Sequence, residues 1–116
     1  MLDKNCLFCK IVEGQIPAEK VYENDNAIAF KDISPQAPTH ILVIPKKHYA
    51  AIHEIPDNEM DLMEGLFGAV KKTIEKLGID DAGYRLVVNS GEKSGQAVFH
   101  IHVHILSGRR MSWPPG

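Results

Sequence analysis

The sequence predicts an α+β domain: an antiparallel sheet of about five strands, with one long helix and one or two short ones covering one face. Three observations point there. Five short β-prone runs lie along the chain, one long segment has helical periodicity, and the two kinds of element do not alternate as a parallel βαβ fold requires. A length of 116 residues with 44% apolar content suits one domain with an ordinary core, spanning positions 1–116. No repeat, low-complexity segment or long linker divides it.

Leu7 to Val12 reads as a short helix ended by Gly14 and Pro17. Val21-Tyr22-Glu23 and Ala27 to Phe30 read as two strands joined by the turn-forming Asn24-Asp25-Asn26. Ser34-Pro35-Gln36-Ala37-Pro38 is a stiff loop, because each proline fixes its own φ and biases the residue before it towards extended geometry. His40 to Ile44 is a strand stopped by Pro45, and His53 falls in a short, solvated helix. Asp57 or Asn58 caps the long helix, Glu59 and Asp61 suit its positive end, Lys71, Lys72 and Lys76 suit its negative end, and Gly78 terminates it. Met60, Met63, Phe67, Val70, Ile74 and Leu77 recur every three or four positions and are read as its core stripe rather than a methionine-rich groove. Arg85 to Asn89 and Val98 to Ser107 are the last two strands, joined by the small, polar Ser90 to Gly95, and a tail runs from about residue 108 to 116.

Thirteen basic and fifteen acidic residues leave a net charge of −2, which argues against a nucleic-acid or anionic-membrane partner. The longest apolar run is four residues, as in Ile41–Ile44, far short of a membrane span. Met1 to Cys6 lack the basic segment and long apolar stretch of a secretion signal, so a cytoplasmic protein is expected.

Three of the six histidines, His100, His102 and His104, fall at alternate positions. On a strand they share one face at about 7 Å spacing, while Phe99, Ile101, Val103 and Ile105 face the core. Stacked imidazoles add nothing to stability and repel when protonated, so chemistry is the better reading. Imidazole titrates near pH 6.5, which allows one ring to act as nucleophile while another handles a proton. Gly91 and Gly95 allow close backbone approach, and Asn89 and Ser94 add hydrogen-bonding groups suited to phosphate. Glu92 before Lys93-Ser94 rules out a Walker P-loop.

The run His100-Ile101-His102-Val103-His104-Ile105-Leu106 resembles the signature of the histidine triad (HIT) family. Asp32-Ile33-Ser34-Pro35-Gln36-Ala37-Pro38-Thr39-His40, Ile44-Pro45-Lys46-Lys47-His48 and Gly95-Gln96 extend the likeness. The closing Ser112-Trp113-Pro114-Pro115-Gly116 is similar to the histidine triad nucleotide-binding protein branch, and together these cover Phe8 to Gly116. The resemblance implies a homodimeric hydrolase of purine nucleoside 5′-phosphoramidates. By that likeness His102 attacks phosphorus and forms a nucleotidyl-histidine, His104 binds phosphate and handles the leaving amine's proton, and His40 completes the catalytic group. Asp32 would accept the ribose hydroxyls, Phe30 and Ile33 would wall the base, and Asn89 with Gly95, Gln96, Ala97 and Val98 would form the phosphate loop. Trp113 would reach towards the partner's site. Without the family, the competing readings are a surface residue at the start of a strand for His40, a turn or cap residue for Asp32, core for Phe30 and Ile33, and a loose end for the tail. Eukaryotic members carry serine where this chain has Ala97, so one hydroxyl near the phosphate or leaving group is missing here.

Cys6-Leu7-Phe8-Cys9 has the spacing that lets two thiolates reach one Zn²⁺ at about 2.3 Å. The resemblance to bacterial-type members with such a pair supplies His48 and His100 as further ligands of a closed, structural zinc site. Idle thiols remain an alternative; a thioredoxin-like redox pair lacks its βαβ setting. Two other functions compete with phosphoramidate hydrolysis: dinucleotide polyphosphate hydrolysis, and nucleotide-binding scaffolding without catalysis. The tail disfavours the first, and the complete set of four histidines disfavours the second.

Overall fold

Asn24 makes the first turn by itself: its Oδ1 accepts the N–H groups of Asn26 and Ala27, both at 2.8 Å, which folds β1 (Lys20–Glu23) back onto β2 (Ala27–Lys31). The structure, a computed structural model, describes residues 3–116; Met1 and Leu2, part of the segment read for a secretion signal, lie outside the described residues. β3 (Thr39–Pro45), β4 (Tyr84–Val87) and β5 (Val103–Ser107) complete an antiparallel sheet in the order β1-β2-β3-β5-β4. The expected α+β architecture with five strands is the observed one.

Alternation divides the sheet into two working faces. Ala27, Ala29, Ile41, Val43, Val103 and Ile105 pack under the long helix α2 (Met60–Leu77). Ile28, Phe30, Leu42 and Ile44 face the other way, against the short helix α1 (Leu7–Val12). Helices therefore cover parts of both faces, whereas one covered face was expected. The α1 side carries the histidines.

The cap of α2, two positions of its stripe and the start of the last strand differ from expectation for identifiable reasons. Asp57 and Asn58 do not cap α2; they form a 3₁₀ turn over Asp57–Glu59 that leads into it, and Glu59 stands at the N-cap with its carboxylate on Lys47 and Tyr49 rather than on the helix N–H groups. Gly78 ends the helix as expected, at φ 64°, with its N–H on the carbonyls of Ile74 and Glu75. The buried stripe of α2 is Leu62, Leu66, Ala69, Val70, Thr73 and Ile74; of the expected one, Val70 and Ile74 are buried and Met63 and Leu77 pack against the core, while Met60 and Phe67 are 53% and 40% exposed. Spacings of three and four fit either stripe. Gly65 selects between them, since Asn26 packs directly on it and Asn24 Nδ2 donates to its carbonyl at 3.0 Å, fixing the side of α2 that meets the hairpin.

The last strand is shorter than the predicted 98–107. β3 pairs with β5 only from Val43↔Val103 onwards. Upstream of that pair, the Ile101 N–H bonds the Tyr49 carbonyl at 2.8 Å. The facing Pro45 has no N–H to offer the ladder, and its carbonyl is taken by the His100 ring. Phe99, expected in the core, is half exposed as a result.

Candidate active site

Two groups of side chains meet on the α1 face. The first is Cys6, Cys9, His48 and His100. Cys6 caps α1 and Cys9 sits in its first turn, so one helical start presents both sulfurs. His48 follows β3, and His100 precedes β5. Cys9 Sγ lies 3.3 Å from His48 Nδ1 and 3.5 Å from His100 Nδ1; Cys6 Sγ lies 3.4 Å from His100 Nδ1. The two Nδ1 atoms are 3.1 Å apart, and all four ligand atoms lie within 4.8 Å of one another. A tetrahedral zinc with ordinary bond lengths sets such edges at about 3.3–3.8 Å. The set therefore fits a closed, four-ligand zinc site. Outer contacts support it: His100 Nε2–H donates to the Pro45 carbonyl at 2.8 Å, which leaves Nδ1 free to ligate, and the Asp3 carboxylate stands 4.0 Å from His48 Nε2. Burial holds His100 neutral, pushed down to about 4, and raises the Cys9 thiol.

The second group is His40, His102 and His104. Hydrogen-bond partners assign their tautomers. Gln36 N–H donates to His40 Nδ1 at 3.0 Å, so the His40 proton is on Nε2, where it is given to His104 Nδ1 at 2.9 Å. His104 then carries its own proton on Nε2. His102 Nδ1–H donates to the His100 carbonyl at 2.7 Å, so its Nε2 holds an unshared pair. One ring is thus set up as a nucleophile and its neighbour as a hydrogen-bond donor, with ring centres 4.9 Å apart. That is closer than the expected 7 Å spacing, with the rings edge to face. Burial lowers the proton affinity of all three, His104 to about 4, so each is neutral at pH 7. Asp32, His40 and His104 are also near enough to share a cation, but the proton on His40 Nε2 makes the pair a hydrogen-bond relay.

On the same face opens a cavity of about 530 Å³, walled by Phe8, Ile11, Ile16, Phe30, Leu42 and Val98 and lined also by Asp32 and Ile33, but by none of the histidines. Its size and apolar walls suit a planar base. Phe8 joins cavity to chemistry, its ring 5.8 Å from Phe30 and 5.1 Å from His102. Phe30 is buried, Ile33 fully exposed. Asp32 is tied by Oδ1 to the Ser34 N–H at 2.7 Å, and its Oδ2 stands 3.5 Å from His40 Nε2.

The domain matches the HIT domain family over residues 13–111. The chain belongs to the HIT family. An uncharacterized HIT-like protein of Synechococcus elongatus is 44% identical over 99% of this chain and 100% of its own length. A solved HIT family hydrolase of Legionella pneumophila is 52% identical, with TM-score 0.91 over 97% of this chain and 100% of that one. The histidine triad nucleotide-binding protein of Candida albicans is 36% identical, with TM-score 0.81 over 94% of this chain and 82% of that one.

Within this HIT domain, Gln96 holds the loop before the triad. Its Oε1 accepts Gly91 N–H at 2.7 Å, and its Nε2 donates to the carbonyls of Ala50 (2.7 Å) and Val98 (3.1 Å). Gly95 takes φ 95°, a left-handed turn open to glycine, and Ala97, two residues on, is exposed. Asn89 is half-buried just after β4. Trp113 is 81% exposed and does not line the apolar cavity. Sequence reasoning missed Phe8, Ile11, Ile16 and Leu42 as cavity walls. Only the docking of α1 on the sheet brings them together, and no local pattern marks that contact.

Proposed function

We propose that this HIT protein hydrolyses the P–N bond of purine nucleoside 5′-phosphoramidates, adenosine 5′-phosphoramidate among them, through a nucleotidyl-histidine on His102. The observation that carries the reading is the His102 tautomer: a neutral Nε2 with its pair free, joined through Phe8 to an apolar cavity large enough to admit a purine. The names of the Legionella hydrolase and the Candida nucleotide-binding protein are consistent with it.

In this reading the base enters the cavity, Asp32 accepts the ribose hydroxyls, and the phosphate meets the Asn89 and Gly95–Val98 loop. His102 Nε2 forms a bond to phosphorus while the P–N bond breaks, and the His100 carbonyl keeps the proton on Nδ1. The amine leaves with the bonding pair and takes up a proton from solvent by way of His104 Nε2. Water then attacks phosphorus, gives up its proton by the same way and releases His102. Zinc held by Cys6, Cys9, His48 and His100 would supply rigidity alone, since four protein ligands leave no open position. Tyr84, Leu86 and Phe67, exposed beside the β4 edge, would pair with a second copy to make a homodimer whose partner offers Trp113. The setting proposed is the cytoplasm.

Incubation with adenosine 5′-phosphoramidate tests the reading. Wild type releases AMP, and His102→Ala lowers the rate by at least about 10³-fold. Equal rates for the two would end it.

A further inference from the structure

Cys6 and Cys9 are placed to react with each other as well as to hold a metal. The Cys9 N–H points at Cys6 Sγ at 3.5 Å, and both sulfurs face one atom, His100 Nδ1, at 3.4 and 3.5 Å. The sulfurs lie within 4.8 Å of each other, and both cysteines are free. A disulfide needs about 2.05 Å between sulfurs, so side-chain rotation and a small tightening of the first turn of α1 would close it.

Access separates the two. Cys6, 7% exposed, lines a second opening of about 350 Å³ together with Asp3, Asn5, His48 and Ala97. Cys9 is fully buried behind it, and the Asp3 N–H covers its sulfur at 3.3 Å. A small oxidant entering there meets Cys6 first. Between the two cysteines in the chain stands Phe8, which walls the base cavity and packs edge-on against Phe30, His100 and His102.

We propose that Cys6 and Cys9 form an oxidation site that takes a hydroperoxide, closes to an intrachain disulfide and thereby loosens nucleotide binding through Phe8. The link to binding rests on the nucleotide reading above; the disulfide does not. Zinc bound there would hold both sulfurs as thiolates, the form that attacks. The Cys6 sulfur attacks a peroxide oxygen: an S–O bond forms, the O–O bond breaks, and the leaving oxygen takes a proton to become water or an alcohol. The Cys9 sulfur then attacks the Cys6 sulfur: an S–S bond forms, the S–O bond breaks, and the hydroxyl departs with a proton as water. The pair loses two electrons, and the peroxide gains them. Both sulfurs leave the ligand set, and His48 and His100 alone no longer close a four-ligand site. In a reducing compartment such a bond is transient, which suits a reversible switch.

The test treats the purified, zinc-loaded chain with a small molar excess of hydrogen peroxide. The expected result is a loss of two hydrogens by mass, a Cys6–Cys9 crosslink in the peptide map and release of zinc to a colorimetric chelator. Dithiothreitol with added zinc should reverse all three. AMP affinity, read by calorimetry, should fall about fivefold on oxidation and return on reduction, a fraction of what burying one Phe side chain contributes. Cys9→Ser should trap a sulfenic acid at Cys6, reactive with dimedone, whereas Cys6→Ser should leave Cys9 unmodified at the same dose. The crosslink in wild type decides the chemistry even where a variant fails to fold. Thiols that stay intact, or two cysteines oxidised separately to sulfinic acids with no crosslink, would overturn the oxidation site. A crosslink with unchanged AMP affinity would overturn the coupling through Phe8. Absence of AMP binding by the reduced wild type would instead remove the nucleotide reading, and the peptide map would still decide the oxidation site.

Discussion

Each histidine on the α1 face gets its task from what its second nitrogen touches. His100 gives Nε2–H to Pro45 and turns Nδ1 to the sulfurs; His102 gives Nδ1–H to a carbonyl and turns Nε2 outward. Burial has a consequence for stability that can be signed. His104 titrates near 4 when folded against an ordinary value of 6.5, so below 6.5 the unfolded chain binds more protons. Its contribution is complete above about pH 6.5 and disappears as the pH falls through about 4. The thermal midpoint should therefore be level near pH 7 and decline on acidification, and His104→Asn should decline less steeply; parallel curves would contradict this. Ala97 gives a second test at this scale. A serine there would add a hydroxyl beside the phosphate loop, so Ala97→Ser should hydrolyse adenosine 5′-phosphoramidate a few-fold faster, on the order of one added hydrogen bond. An unchanged or slower rate would count against that placement.

Among the elements, α2 shows most clearly what a sequence can and cannot say. Its existence, Gly78 terminus and apolar character follow from composition and spacing. Its buried side follows only in part: Val70 and Ile74 are buried and Met63 and Leu77 pack on the core as expected, but Met60 and Phe67 yield to Leu62, Leu66 and Ala69, a choice that belongs to Asn24 and Asn26 of the hairpin packing on Gly65. Leu66 is fully buried and Met60 is 53% exposed. Leu66→Ala should therefore cost about 3 kcal/mol, and Met60→Ala less than about 0.5 kcal/mol, in chemical denaturation. The reverse order would restore the stripe first expected. The site divides in a similar way. Alternating histidines and a Cys-x-x-Cys pair are visible because they break the expectation for a core strand and a short helix. Phe8, Ile11 and Ile16 are invisible as cavity walls, because apolar residues at a short helix look like any core until the helix is docked. Pro45 is the intermediate case: its effect as a strand stop was legible, but not its effect on the strand facing it.

For the whole molecule, the zinc ligands matter through where they lie in the chain. They join α1, the loop after β3 and the approach to β5, so a metal there would tie the N-terminal helix to the sheet at the cavity wall. Purified protein should hold about one zinc per chain, and its removal by a chelator at neutral pH should lower the thermal midpoint by about 10 °C. A midpoint indifferent to chelation would assign the cysteines to packing alone. The unpaired edge of β4 sets the second question at this scale. Leu86 is 39% exposed there and Phe67 40% exposed on the neighbouring helix. Leu86→Asp should turn a dimer into a monomer in light scattering while leaving the fold intact, and a wild type already monomeric would remove the proposed assembly. No helix among the described residues is long and apolar enough to cross a membrane.

These scales meet at one atom, Nε2 of His102. The most direct test is to quench the protein during turnover of adenosine 5′-phosphoramidate and map any covalent nucleotide by peptide mass spectrometry. The account predicts one adenylyl group, acid-labile, on the peptide containing His102, and none on His102→Ala. AMP formation with no protein adduct at any quench time, or an adduct on His104 or His40 instead, would contradict it.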